Sequence, residues 1–189
     1  MTASEPVQLH HPWTVADLER IPDDPNRYEI FHGSLLVTPP AFNRHNTTLY
    51  RLRRALERQA PDEFWVSTES FGIDIRDLPP DGSFYVPDLI VMPERPTRPK
   101  VKYLTPAEVL LAVEVLSDST KARDWGLKRY DYALTGIPTY WIIDNERRTM
   151  TVFTHDGKES YVEEATVKAG EKWTSERPFP LTVDPGEFT

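Results

Sequence analysis

Apolar residues return along the chain with two periods, and the changes of period divide it into elements. From Asn43 to Ala60, Leu49, Leu52 and Leu56 recur at helical spacing while Arg51, Arg54 and Arg58 form a separate basic stripe, which predicts an amphipathic helix. His45 precedes the leucines on their stripe and is expected to face inward. Thr14 and Asp17 have the spacing of a capping box, so VADLERI reads as a short helix that Pro22 stops. Tyr28 to Val37 reads as two short strands around a turn at His32 and Gly33, ended by Pro39 and Pro40.

After Pro61 the pattern is that of strands: FWVSTESFGIDI, then FYVPDLIVM, then VLLAVEVL. The last is almost uniformly apolar, as a central strand covered on both faces must be. A helix is predicted from about Lys121 to Leu134, capped from Ser117 to Thr120 and stopped by Gly136 and Pro138. TYWIID follows as another buried strand, giving strand, helix and strand at the length of a parallel crossover. TMTVFTHDGKESYVEE predicts a hairpin turning at Asp156 and Gly157. The expected fold is α/β, a mixed sheet flanked by helices, with additional N-terminal strands and a C-terminal β-hairpin. The 189 residues suit a single domain, residues 1–189 with a core over about 28–154, and show no repeat or interdomain linker.

Composition narrows the chemistry. The absence of cysteine removes disulfides, thiolate metal sites and cysteine nucleophiles. With no apolar run of about 18 residues and no signal-peptide pattern at the N-terminus, the expectation is a soluble, cytoplasmic protein. A net charge of -8 argues against coating nucleic acid through bulk positive potential. The acidic excess lies at the ends, however: residues 31–154 hold 16 acids and 16 bases. There the bases cluster at Arg51 to Arg58, at Arg95, Arg98, Lys100 and Lys102, and at Lys121 to Arg129.

Two acids break the hydrophobic pattern. Asp88 interrupts YVPDLIV and Glu114 interrupts LLAVEVL, each read as a mid-strand position in a buried run. An unpaired charge there costs several kcal/mol, so each needs a partner cation, a hydrogen-bond network or a function. Two carboxylates converging from adjacent strands, with a backbone carbonyl, form a hard-oxygen set suited to Mg2+ or Mn2+. The five histidines have no zinc-ligand spacing. A divalent ion can activate water and neutralise charge on a phosphoryl oxygen, which makes phosphodiester hydrolysis the natural candidate. That reading requires the two acids to share one cation rather than each to be neutralised by its own guanidinium.

Pro87-Asp88, 25 intervening residues and then Glu114 at the end of an apolar strand resembles the PD-(D/E)XK nuclease superfamily. More narrowly, the chain resembles a bacterial restriction-endonuclease-like family long labelled only as a domain of unknown function. The resemblance spans about Tyr28 to Phe153. It rests on Tyr28-Glu29-Ile30 with Gly33, the helix opened by His45, VPDLIV, VEVLSDST, Asp124 with Lys128 and Tyr132, and GIPTYWIID ending at Asp144. The superfamily's usual lysine, two residues after the second acid, is here Leu116; in the narrower family the matching lysine lies on the following helix and is Lys128. The family often has acids beside the glycine of the first turn, where this chain has His32 and Ser34.

The resemblance implies a metal-dependent endonuclease. Asp88, Glu114 and the Val115 carbonyl would bind the metal, Lys128 would position water or the transition state, and Glu29 and His45 would support them. Arg51, Arg54, Arg58, Arg98, Lys100 and Lys121 would contact the phosphates of DNA, and a homodimer would cut both strands. One rival is an inactive member of the fold that binds nucleic acid or protein, since Leu116 replaces the usual lysine. Another is a paired-carboxylate glycosidase.

Overall fold

The computed structural model describes residues 11–40, 43–68, 71–93, 103–117 and 120–189. Its helices are α1 (Val15–Leu18), α2 (Asn43–Glu57), α3 (Lys121–Arg123) and α4 (Arg129–Leu134), with a π-helical turn, Asp124–Lys128, joining the last two into one rod. Five strands form the first sheet: β1 (Arg27–Phe31), β2 (Ser34–Thr38), β4 (Gly72–Ile75), β5 (Ser83–Tyr85) and β7 (Tyr103–Leu104), in the order β2-β1-β5-β4-β7. Six form the second: β3 (Trp65–Thr68), β6 (Leu89–Met92), β8 (Leu111–Val115), β9 (Thr139–Asp144), β10 (Thr149–His155) and β11 (Tyr161–Lys168), in the order β11-β10-β9-β8-β6-β3. β12 (Trp173–Ser175) and β13 (Leu181–Val183) pair as a ribbon. Among the described residues no helix is long and apolar enough to cross a membrane.

The predicted α/β architecture is present, but as two large sheets where the sequence pattern suggested one. FYVPDLIVM is not a single strand: β5 belongs to the first sheet and β6 to the second. Pro87 has no N–H to give a ladder and favours an extended residue before it, so the chain leaves one sheet there and enters the other. FWVSTESFGIDI divides in the same way into β3 and β4. The predicted crossover holds: β8 and β9 are parallel, joined by the helical rod. The tight turn at His32 and Gly33 also holds, both residues having positive φ (45° and 77°), as a two-residue hairpin turn demands.

The second sheet is covered on both faces. Leu49, Leu52 and Leu56 of α2 pack on Val66, Leu89, Leu111, Val113 and Trp141, together with Phe179, Leu181, Val183 and Phe188 from the C-terminal segment. The core therefore extends well beyond residue 154. The opposite face, with Ile90, Ala112, Tyr140 and Ile142, meets Ile73 and Tyr85 of the first sheet and Tyr132 of α4. Glu114 shares that second face with Ala112, two residues before it on β8. It lies where the two sheets and the helical rod converge.

Candidate active site

β6 and β8 run antiparallel with Leu89 opposite Val113, so Asp88, just before β6, and Glu114, just after Val113, lie at the same end of the strand pair. Both are 2% exposed. Asp88 occupies the break between β5 and β6 rather than the middle of a strand, which corrects the sequence reading and frees its carboxylate from sheet geometry. Arg27 Nη1 donates to Asp88 Oδ1 at 2.7 Å, and Oδ2 accepts from the Val115 N–H at 2.7 Å and from His45 Nε2 at 3.0 Å. Burial alone would raise this carboxyl; the His45 hydrogen bond and the Arg27 guanidinium hold it well below the usual carboxylate range.

Glu114 is held from the other side. Its Oε1 accepts from Lys128 Nζ at 2.9 Å and from the Tyr132 hydroxyl at 3.2 Å. Lys128, 2% exposed, also lies 2.9 Å from Glu29 Oε1 and 3.8 Å from Asp124 Oδ1. Burial would lower its pKa, but Glu114, Glu29 and Asp124 around it raise it, so the ammonium stays charged. Burial, only partly offset by Lys128, raises Glu114 well above the ordinary glutamate range. The same balance pushes Asp124 up to about 6. Glu29 also accepts from the Val86 N–H at 2.9 Å, which fixes the chain just before Pro87.

A cleft of about 880 Å³ opens onto this cluster, lined by Arg27, His45, Asp88, Glu114 and Val115 and also by Arg44, Ser117, Thr120, Lys121 and Asp144. β1 delivers Arg27 and Glu29 from alternate positions on one face, the N-terminal turn of α2 delivers Arg44 and His45, and β8 delivers Glu114 and Val115. Arg44 donates to the Asn145 carbonyl and Thr48 Oγ1 to Asn145 Oδ1 at 2.8 Å, tying α2 to the end of β9. Because the Val115 N–H points at Asp88, its carbonyl is directed along the same strand edge.

The structure thus gathers Asp88, Glu114, Val115, His45, Glu29 and Lys128 in one place. Lys128 and Glu29 do not line the cleft; they lie behind Glu114, so Lys128 touches the site only through that carboxylate. The acids are not a bare pair: Asp88 has a guanidinium and Glu114 an ammonium. Arg51 and Arg54 are exposed on the side of α2 away from His45 and line no part of the cleft. Arg58 reaches Glu187 at 3.9 Å. Lys121 is at the cleft, 3.9 Å from Asp144 Oδ2. Arg98 and Lys100 lie outside the described residues.

Arg27 escaped the sequence reading: no spacing links it to Asp88, 61 positions away. Asp124 and Tyr132 entered that reading only beside Lys128 in the family pattern, and the structure sets Asp124 against Lys128 and the Tyr132 hydroxyl against Glu114.

A model of the Uma2 family, described as "Putative restriction endonuclease", matches residues 15–184. The chain belongs to the Uma2 family. Among solved structures it is similar to a protein from Anabaena variabilis described as a "putative nuclease belonging to DUF820", with a TM-score of 0.67 and 16% identity over 94% of this chain and 97% of that one. At that identity the likeness shows a shared fold. No curated protein matches the chain.

Nuclease families of this kind imply a divalent metal, and the residues present can be tested against one. Among the described residues no three His, Asp or Glu side chains form a ready ligand cage. The donors can nevertheless be weighed against a dication. Four buried carboxylates, Asp88, Glu114, Glu29 and Asp124, lie with two permanent cations, Arg27 and Lys128, and burial, ahead of the neighbouring acids, raises Glu114 and Asp124. The donors at the cleft wall, two carboxylates and a strand-end carbonyl, are hard oxygens of the type Mg2+ prefers.

Proposed function

We propose that the chain is a metal-dependent endonuclease that hydrolyses phosphodiester bonds of DNA in this cleft. The carrying observation is that the buried carboxylates Asp88 and Glu114 both line the cleft, within a cluster that also holds Glu29, Asp124, Arg27 and Lys128. Asp88, Glu114 and the Val115 carbonyl would hold Mg2+ or Mn2+, which when bound would lower the pKa of water and offset charge on the phosphoryl oxygens. His45 orients Asp88 and keeps it ionised. Lys128 and Tyr132 fix Glu114 from behind, so Lys128 is a positioning residue. Arg27, Arg44 and Lys121 bring positive charge to the cleft, toward which phosphate oxygens would be drawn. Cutting both strands of a duplex would require a second site, supplied by a second copy of the chain.

The pairing of each acid with its own cation favours a second reading, an inactive fold member that binds nucleic acid or protein. Plasmid cleavage separates the two. Wild-type protein with Mn2+ should nick supercoiled DNA, and Asp88→Asn and Glu114→Gln should each reduce the rate at least 100-fold while remaining folded by circular dichroism. Equal cleavage by all three proteins, or none by any, would remove the nuclease reading.

A further inference from the structure

Arg27 and Lys128 both neutralise carboxylates of the same cluster, but they are placed differently. Lys128 is 2% exposed and enclosed by Glu114, Glu29 and Asp124. Arg27 has a side chain 20% exposed, stands in the cleft wall, and reaches Asp88 Oδ1 at 2.7 Å and the Val86 carbonyl at 3.4 Å. Asp88 Oδ2 is already committed to His45 and the Val115 N–H. A cation arriving from the cleft therefore meets Asp88 at Oδ1, where Arg27 sits. Lys128 cannot make way, since leaving would strand three buried carboxylates at a cost of about 3–5 kcal/mol. Arg27 can, because its side chain is partly exposed and lines the open cleft.

We propose that Arg27 is an exchangeable resident cation of this site: it occupies the Asp88 oxygen that a divalent metal would take, and on metal entry it moves into the cleft, where its guanidinium can pair with the phosphodiester. The inference rests on the nuclease reading above. Its physical content is competition: the same carboxylate oxygen cannot serve guanidinium and dication at once, so the wild-type affinity for metal is reduced by the free energy of the Arg27–Asp88 contact. The arrangement also keeps Asp88 ionised in the metal-free protein. A planar guanidinium is suited to both partners, since carboxylate and phosphate present the same paired-oxygen geometry.

The test is the affinity of the full chain for Mn2+ alone, by calorimetry at pH 7, in wild type, Arg27→Met and Arg27→Lys. Arg27→Met should bind Mn2+ at least tenfold tighter than wild type, and Arg27→Lys, which keeps the charge but loses the fork, should lie between. If Arg27→Met is too unstable for calorimetry, the same competition appears as a larger rise in Tm on adding Mn2+ to Arg27→Lys than to wild type. On DNA at saturating Mn2+, Arg27→Met should cleave more slowly despite its tighter metal. Equal or weaker Mn2+ binding by both variants overturns this inference and leaves the nuclease reading standing, provided wild type binds metal. Absence of Mn2+ binding in all three proteins overturns both.

Discussion

Asp124 shows what a single buried carboxylate costs in this cluster. It is 1% exposed, Thr120 is its hydrogen-bonding neighbour and lowers its pKa only slightly against burial, and Lys128 lies 3.8 Å away. The charged groups facing it are Lys128 on the same helical rod, Glu29 from β1, Glu114 from β8 and Asp88 from the break before β6; three of the four are acids. Burial first, then these acids against Lys128, raises its pKa from 3.8 to about 6. Between those two pH values the unfolded chain ionises before the folded one and holds fewer protons, so stability falls as pH rises through that window and is level above it. A carboxyl displaced this far costs roughly 3 kcal/mol when ionised. Asp124→Asn should therefore match wild type near pH 4 and become more stable by up to about 3 kcal/mol by pH 7, measured by urea unfolding across that range. A constant difference at every pH would show that Asp124 is not the group responsible. Asp88 has the opposite sign: its depressed pKa adds stability above the unfolded value that is lost in acid. That loss is common to both proteins and cancels in the comparison.

At the level of elements, the local pattern was readable and the long-range partners were not. The helix of α2, the hairpin turn at His32, the crossover from β8 to β9 and the Asp156–Gly157 hairpin all follow from periodicity and turn residues, which are local properties. Asp88 and Glu114 were legible because a charge in an apolar run is costly wherever the run is buried. The division of FYVPDLIVM between two sheets was hidden, since each half has the same apolar character and only the destination differs. Hidden too was the π turn within the predicted helix. Within this turn only Asp124 and Lys128 are buried, so the widened stretch supplies both an acid and a base to the site. Gly126 lies in its middle, where an added Cβ would meet nothing within 4 Å. Its flexibility is thus a cost to the folded state without a packing return. Gly126→Ala should raise Tm by about 1–4 °C, corresponding to 0.5–1 kcal/mol, with Mn2+ affinity unchanged. A fall in Tm would mean that the π turn relies on glycine backbone freedom.

Across the whole molecule, charge placement decides how DNA can be held. The chain is acidic overall, so attraction must come from local bases, and two candidate surfaces differ in where they would place the duplex. The stripe Arg51, Arg54 and Arg58 lies on the far side of α2 from His45, and at 1.5 Å per residue Arg58 stands about 20 Å along the helix from that histidine. Arg53, beside the stripe, is paired with Glu57 at 2.7 Å. Lys121, in contrast, opens the helical rod and lines the cleft together with Asp144, 3.9 Å away, Ser117 and Thr120. A strand whose scissile phosphate reaches Asp88 and Glu114 passes Lys121 and does not need the outer face of α2. Each phosphate contact releases condensed counterions and adds about 0.9 to the steepness of log K against log salt. Titrating a fluorescent duplex by anisotropy from 50 to 200 mM NaCl, without metal, Lys121→Ala should reduce that slope by about one. The triple change Arg51→Ala, Arg54→Ala and Arg58→Ala should leave it within experimental error of wild type. If the triple variant instead lost two or more from the slope and Lys121→Ala lost nothing, the duplex would lie along α2. The cleft acids would then be too far from the backbone to act on it.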